Sequence, residues 1–173
     1  AYVETDAPNP LSWYGQTKLA GERAVAESGA RHVILRTAWL YGAHGHHFLR
    51  AIARRAATMD TPVRIVDDQW GTPTWTARLA VQIERVLQAG AEGLFHATAE
   101  GRTTWYAYAA RFAALADRPW RLHPCPTSDY PTPARRPANA VLENARLKAD
   151  GLNEFRDWEE DLAEFIRLHG DRI

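Results

Sequence analysis

The run His32-Val33-Ile34-Leu35-Arg36 sets the fold class of this chain. Three consecutive apolar residues without polar alternation are typical of a parallel strand that is covered on both faces. A helical pattern precedes the run, from about Ser12 to Ser28, and Gly29 ends it. The expected buried side of this helix consists of Leu19, Ala20, Ala24 and Val25. A helix followed by such a strand predicts an α/β layered fold.

The same alternation continues towards the C-terminus. Helical spacing runs from Phe48 to about Met59 and from Thr76 to Ala89, and a further helix begins after Thr103 or Thr104. Strand patterns lie at 63–66, 93–97 and 121–123. The expected buried side of the 76–89 helix consists of Leu79, Ala80, Ile83, Val86 and Leu87. Three or four strands are few for a complete doubly wound sheet, so the sequence predicts only part of one.

Composition argues against several classes of function. The formal net charge of the 173 residues is +0, so the chain has no basic field for nucleic acid. No apolar run approaches the roughly 18 residues that are needed to span a membrane. Cys125 is the only cysteine, which leaves no internal disulfide and favours a reducing compartment. We expect a cytoplasmic protein that binds neither nucleic acid nor a membrane.

Tyr14 and Lys18, in the segment Leu11–Glu22, form a pair that suits general acid catalysis. Positions four apart lie on one face of a helix, so the phenol and the ammonium project together. A free phenol releases its proton near pH ~10, which is too high for easy donation at neutral pH. A cation at roughly 6 Å, with an effective dielectric constant of about 20, favours the phenolate by about 3 kcal/mol. We therefore expect Lys18 to tune Tyr14 as a general acid.

The choice of lysine at position 18 is informative in this chain. Lysine occurs only at 18 and 148, and every other basic position among the 21 lysines and arginines is arginine. Random placement of these lysines and the six tyrosines gives roughly 0.07 pairs at this spacing. A compact ammonium can hold sugar hydroxyls, for which a flat guanidinium is shaped differently. The alternative is a solvated helix face on which Tyr14 and Lys18 are incidental.

Five blocks of sequence carry a family signal: Glu4–Pro10, Tyr14–Glu22, Arg36–Gly42, Asp67–Thr74 and Tyr130–Pro137. Together they resemble the dTDP-4-dehydrorhamnose reductase family, which belongs to the extended short-chain dehydrogenases/reductases. The blocks follow the order of the family over nearly the whole chain, and the block rich in proline and arginine is the most specific of them. The resemblance implies an α/β fold with a Rossmann-like doubly wound sheet and a small α/β region that binds a nucleotide-sugar.

The resemblance also implies a reaction and roles for residues. Such a reductase transfers hydride from NADPH or NADH to the C4 ketone of dTDP-4-dehydro-L-rhamnose, giving dTDP-L-rhamnose. Tyr14 matches the proton donor, and Lys18 matches the lysine that tunes it and hydrogen-bonds the nicotinamide ribose. Trp39 matches a tryptophan that contacts the sugar. Arg136, next to Arg135, could grip the diphosphate, although a structural pairing of these arginines with helix-terminal acids is an equal alternative.

Parts of the family pattern are missing from the sequence. The segment Gly42-Ala43-His44-Gly45 lacks the spacing of a glycine-rich phosphate-binding turn and follows a loop. The catalytic Ser or Thr of the family, upstream of the entry loop, is also missing. We expect that roughly the first two-fifths of a family-length polypeptide lies outside this chain, which leaves the dinucleotide site incomplete. We therefore expect the chain alone to be inactive.

On this resemblance, the chain divides into two regions. Residues 1–36 and 75–97 are assigned to the C-terminal part of the Rossmann-like domain. Residues 37–74 and 98–173 are assigned to the region that binds the nucleotide-sugar.

A metal site is not expected. His44, His46 and His47 lie close together, but no Cys or Glu stands at ligand spacing nearby. Some members of the family bind Mg²⁺ through glutamates at a dimer contact, and Glu159 resembles one such position. The region near Met59 offers no partner glutamate. Mg²⁺ is therefore doubtful, whereas a homodimer is compatible with the family.

Two other functions remain open. The first is a non-catalytic regulatory or binding module of the same fold. The presence of both Tyr14 and Lys18 favours the enzyme, because a pure binder has no need for a tuned phenol. The second is a reductase of another dTDP-4-keto sugar, which Trp39 and the Pro133–Pro137 block do not distinguish.

Overall fold

Helix α1 (Trp13–Glu27) is the first helix of the computed structural model, which describes residues 1–130 and 136–173. Its N-terminus is capped by Ser12, whose Oγ accepts a hydrogen bond from the Gly15 N–H at 3.1 Å. The helix was predicted correctly, but its buried side was not. Helix α1 has no buried residue: Leu19 is half-buried, and Ala20, Ala24 and Val25 are exposed. Its apolar residues are scattered around the helix, so no single side can be buried.

Two parallel strand pairs contain the longer strands. β1 (Val33–Arg36) pairs with β6 (Gly93–His96), and β3 (Val63–Val66) pairs with β8 (Leu122–Cys125). Two further pairs have strands of only two residues: β2 (Leu40–Tyr41) is parallel to β5 (Thr74–Trp75), and β4 (Trp70–Gly71) is antiparallel to β7 (Thr103–Thr104). The predicted number of strands was too low, because a two-residue strand leaves no periodic signal.

The cover of strand β1 also differs from the prediction. All four of its residues are half-buried. Within the described part of the chain, β6 is its one neighbouring strand. Helix α1, which precedes β1 in sequence, buries no residue and so provides no closed layer over the strand. The expectation that β1 is covered on both faces is therefore wrong in this structure.

The main core lies where helices α2 (Phe48–Thr58), α4 (Trp105–Leu115) and α6 (Trp158–His169) meet the short strands. As predicted, Thr104 caps α4, its Oγ1 accepting a hydrogen bond from the Ala107 N–H at 3.1 Å. The buried members of this core are Tyr41, Leu49, Trp75, Ala99, Tyr108, Phe112, Trp158, Leu162 and Phe165. Six of these nine residues are aromatic, so this core is built mainly from rings.

Helix α3 (Thr76–Gln88) has a partly polar buried side. Val86 is buried and Leu79 is half-buried, as predicted, whereas Ala80, Ile83 and Leu87 are exposed. Gln82 takes their place: its Nε2 donates to the Leu152 carbonyl at 2.9 Å, and its Oε1 accepts from the Glu154 N–H at 2.8 Å. Apolar periodicity cannot reveal a side that packs through an amide group.

The segment before α1 is attached to the C-terminal half of the chain. Glu4 Oε1 accepts the backbone N–H groups of His96 at 3.0 Å and of Arg146 at 3.2 Å. Arg146 lies in the first turn of the short helix α5 (Ala145–Ala149). One carboxylate therefore links the entry segment, the end of β6 and the start of α5.

Candidate active site

Tyr14 and Lys18 lie one turn apart on the same face of α1. The Lys18 Nζ atom is 5.3 Å from the centroid of the Tyr14 ring, a distance typical of a cation–π contact. Tyr14 is 71 % exposed, and Lys18 is also exposed. Both polar groups can therefore reach a ligand that approaches this helix. Their roles as acid and tuning cation stay predictions.

A pocket of about 240 Å³ adjoins Lys18. It is lined by Pro8, Asn9, Pro10, Gly15, Lys18, Leu19, Glu22 and Arg36. Gly15 lets the entry loop approach the helix, since a Cβ at that position would meet the Pro10 Cβ at 3.0 Å. Sites for whole small molecules usually measure ~300–1,000 Å³. This pocket is smaller than a site for a whole small molecule.

An ion pair between Glu22 and Arg36 forms one wall of this pocket. Arg36 Nε donates to Glu22 Oε1 at 2.9 Å and to Oε2 at 3.1 Å, and its Nη2 donates to Oε2 at 2.7 Å. Both side chains are only 22 % exposed. The pair joins α1 to the end of β1. Sequence reasoning missed it, because Glu22 and Arg36 lie in different elements.

Trp39 is a fixed aromatic wall near the end of β1. Its backbone is in the left-handed region, with φ of 47°. Its ring stacks on Trp105 with centroids 3.6 Å apart and planes 15° apart. A Cβ at position 71 would come within 2.3 Å of the indole, so the glycine there makes room for the ring. Contact of Trp39 with a sugar face stays a prediction.

Arg136 is exposed and lies close in sequence to a segment that pairs with Trp70. The Trp70 N–H donates to the Ala138 carbonyl at 2.9 Å, and the Ala140 N–H donates to the Trp70 carbonyl at 2.8 Å. Trp39 lies against Gly71, the next residue of the same strand. The fold therefore brings the segment after Arg136 and the Trp39 ring to one short strand, β4. Arg135 and residues 131–134 lie outside the described residues.

The acidic pair at 67–68 is structural. The Thr104 hydroxyl donates to Asp67, and the Thr127 N–H donates to Asp68 Oδ2 at 2.9 Å. The hydrogen bonds from the Thr127 hydroxyl and backbone hold the pKa of Asp68 below its usual value. Both acids therefore stabilise the local chain conformation through side-chain hydrogen bonds.

Trp70 is partly exposed, with the Arg102 guanidinium 5.3 Å from its ring centroid.

Across residues 1–130 and 136–173, no group of three or more His, Cys, Asp or Glu is placed to hold a metal ion. Glu159 is paired with Arg111, whose Nε lies 2.7 Å from the carboxylate. In the same ranges, no helix is both long and apolar enough to cross a bilayer.

Comparison with known proteins gives consistent matches. A family profile described as "RmlD substrate binding domain" matches residues 1–169. A dTDP-4-keto-6-deoxy-D-glucose reductase of Streptomyces niveus is 41% identical over 169 residues, covering 96% of this chain and 58% of the relative. The crystal structure of a dTDP-4-dehydrorhamnose reductase from Clostridium acetobutylicum superposes with a TM-score of 0.92 at 38% identity, covering 96% of this chain and 59% of that one.

A second crystal structure, of the dTDP-4-dehydrorhamnose reductase of Bacillus anthracis in complex with NADP, has a TM-score of 0.90 at 30% identity. It covers 96% of this chain and 59% of that one. The chain thus spans less than two thirds of the length of the relatives that it matches.

Proposed function

We propose that this chain supplies the proton donor and the sugar site of a dTDP-4-keto-sugar reductase. The chain belongs to the RmlD substrate binding domain family. The observation that carries this proposal is the geometry of Tyr14 and Lys18, with the ammonium 5.3 Å from the ring centroid on an exposed helix face. A binding module would have no use for this arrangement. The substrate that we propose first is dTDP-4-dehydro-L-rhamnose, and the product is dTDP-L-rhamnose.

Each group in the proposed site has a defined task. The Tyr14 hydroxyl donates its proton to the ketone oxygen as negative charge develops there. The Lys18 ammonium stabilises the phenolate that remains and donates hydrogen bonds to ribose hydroxyls. Trp39, held by Trp105 and Gly71, presents an apolar surface to the sugar ring. Arg136 is proposed to bind the diphosphate.

The reduced nicotinamide cofactor, NADPH or NADH, supplies the hydride when it is bound. The donor set of this chain fits one end of such a cofactor, because the exposed Lys18 ammonium borders a pocket of about 240 Å³. Within the described residues, no glycine-rich turn is present for the pyrophosphate. We propose that the remaining part of the dinucleotide site comes from a further segment of the complete enzyme. This proposal includes the division of the chain into two regions. The Rossmann-like region consists of residues 1–36 and 75–97, and the region that binds the nucleotide-sugar consists of residues 37–74 and 98–173.

A different keto sugar is the second candidate substrate. The Streptomyces niveus relative is named as a dTDP-4-keto-6-deoxy-D-glucose reductase, so related chains carry names for more than one substrate. Cytoplasmic location is also proposed, on the single buried cysteine, Cys125. A second copy of the chain as a partner stays a prediction, which gel filtration would test.

The function can be tested in a chimera. The matching segment of the Streptomyces niveus relative is replaced with residues 1–173, and oxidation of NADPH is followed with both dTDP-4-keto sugars. We expect turnover, with the better substrate identified by the higher kcat/KM. A chimera that binds the dTDP-sugar but oxidises no NADPH would contradict the reductase and support the binding module.

Lysine variants of the chimera test the tuning cation. Replacing Lys18 with Ala is expected to lower kcat about a hundredfold. The variant Lys18→Arg should be no more active, because a flat guanidinium cannot replace a compact ammonium between a phenol and ribose hydroxyls. The matched control is Lys148→Arg, at a lysine whose Nζ is 2.7 Å from Glu100 in another part of the fold. Equal activity of the parent chimera and its Lys18→Arg variant would contradict this role.

A further inference from the structure

Tyr14, Lys18 and Glu22 follow one another at intervals of four residues on α1. This spacing places all three side chains along one face of the helix. Lys18 therefore has a carboxylate one turn beyond it, as well as the Tyr14 ring one turn before it. Oppositely charged residues at this spacing attract each other. A pairing of Lys18 with Glu22 would draw the ammonium away from the phenol.

The structure shows a different pairing. Both carboxylate oxygens of Glu22 accept hydrogen bonds from Arg36, at 2.7–3.1 Å. The pair is shielded, since each side chain is only 22 % exposed, and its fork geometry is the one in which a guanidinium binds a carboxylate best. The Lys18 ammonium lies instead 5.3 Å from the centroid of the Tyr14 ring.

We propose that Arg36 is a positioning residue that occupies Glu22 and thereby keeps the Lys18 ammonium beside Tyr14. The catalytic meaning of this inference rests on the proposed function, whereas its structural part concerns contacts within this chain alone. Arg36 acts through Glu22 and Lys18. Arg36 competes with Lys18 for the Glu22 carboxylate, which would otherwise neutralise the Lys18 ammonium.

The inference predicts an unusual pattern of variants. In Arg36→Met the Glu22 carboxylate loses its partner, and Lys18 is the cation on the same helix face that can replace it. In the double variant Glu22→Gln/Arg36→Met no carboxylate competes, so Lys18 returns to Tyr14. A purely structural role for the ion pair predicts the opposite, because the double variant also lacks the bond between α1 and β1.

The position of Lys18 can be measured directly, because the chain has only two lysines. The 173-residue protein is prepared with lysine labelled with ¹³C at Cε, and the signal missing from Lys18→Arg identifies Lys18. In the native protein the Hε protons of Lys18 are expected to show an upfield ring-current shift, which Tyr14→Leu removes. Lys148 is the internal control, since its Nζ is held by Glu100 and Glu143.

We expect Arg36→Met to lose the ring-current shift, and the double variant to regain about half or more of it. An unchanged Lys18 signal in Arg36→Met would overturn the inference, and so would a double variant that fails to regain the shift. Arg36→Leu, which also cannot hydrogen-bond Glu22, is the second variant if Arg36→Met does not fold, and it is judged by the same two outcomes.

Activity in the chimera provides an independent reading. Arg36→Met is expected to lower kcat about tenfold with little change in the KM for the dTDP-sugar, and the double variant to recover to within about threefold of the parent chimera. Glu22→Gln alone should lose less than Arg36→Met. A double variant that is no more active than Arg36→Met would overturn the inference. An inactive parent chimera would reject the proposed function, while the NMR comparison would still decide the position of Lys18.

Discussion

Helices α1 and α6 are held in the fold in opposite ways. Helix α1 has no buried residue, and its firm attachment is the ion pair from Glu22 to Arg36. Helix α6 buries Trp158, Leu162 and Phe165 among the aromatic rings of the main core, and its Asp161 is also buried. The candidate catalytic pair is on the first helix, whereas the second contributes mainly to stability.

This contrast indicates that stability and chemistry are carried by different parts of the chain. Substitutions on α6 should lower the free energy of unfolding through lost packing. Substitutions on the exposed face of α1 should change turnover and leave unfolding nearly unchanged.

The largest effect is expected at Phe165, which is fully buried. Its ring centroid lies 5.1 Å from that of Tyr41 and 6.0 Å from that of Trp75. Phe165→Ala should lower the free energy of unfolding by about 3–5 kcal/mol, because the cavity that it leaves is lined by rigid rings. The control on α1 is Trp13→Ala, at a residue that is 79 % exposed, with an expected change below about 0.5 kcal/mol. Urea unfolding measures both, and equal losses would break the contrast.

A smaller effect is expected at Asp161, whose side chain is fully buried. Its Oδ1 accepts hydrogen bonds from Arg156 Nη2 at 2.7 Å and from Arg78 Nε at 3.3 Å. Asp161→Asn should lower the free energy of unfolding by about 2–3 kcal/mol. This is less than the loss expected when a fully buried ion pair is broken, because both arginines are partly exposed. The matched change on α1, Glu22→Gln, should cost about 1 kcal/mol in the same unfolding experiment. A larger loss at Glu22 than at Asp161 would reverse the comparison.

The smallest effect is a pH dependence from His47, next to the core. Burial first, and the nearby Arg50 second, lower the pKa of His47. The unfolded chain therefore takes up this proton first, near the ordinary pKa of about 6.5. The contribution of neutral, buried His47 to the free energy of unfolding is fully present above that pH. This contribution is lost as the pH falls towards the lower pKa of the folded state.

Urea unfolding at several pH values measures this slope. His47→Gln should flatten the decline of stability below about pH 6.5. His44→Gln, at an exposed position three residues earlier, is the control and should leave the decline unchanged. The assignment to His47 would be rejected by an identical slope in the His47→Gln protein.

The sequence predicted local features of the fold more successfully than its layers. The strand at 33–36 and its helical neighbours followed from apolar spacing, and a cap at Thr103 or Thr104 followed from residue type. The exposed sides of α1 and α3 could not be predicted, because burial depends on which element lies opposite. Gln82 shows this most clearly, since its buried amide is hydrogen-bonded to two backbone groups from residues 152–154.

The candidate site divides in the same way. Tyr14 and Lys18 could be paired from sequence because their relation lies within one helix. The Glu22–Arg36 ion pair and the Trp39–Trp105 stack join residues from different elements, so no local pattern reveals them. Sequence therefore predicted the candidate chemical groups, and the structure added what holds them in place.

The most direct test of this account is Tyr14→Phe in the chimera, measured for both turnover and thermal unfolding. Loss of one exposed hydroxyl should lower kcat by more than about a hundredfold. Binding of the dTDP-sugar should persist, and the melting temperature should stay within about 1 °C of the parent. Near-normal turnover would contradict the assignment of Tyr14 as the proton donor. A melting temperature lowered by several degrees would contradict the separation of chemistry from stability.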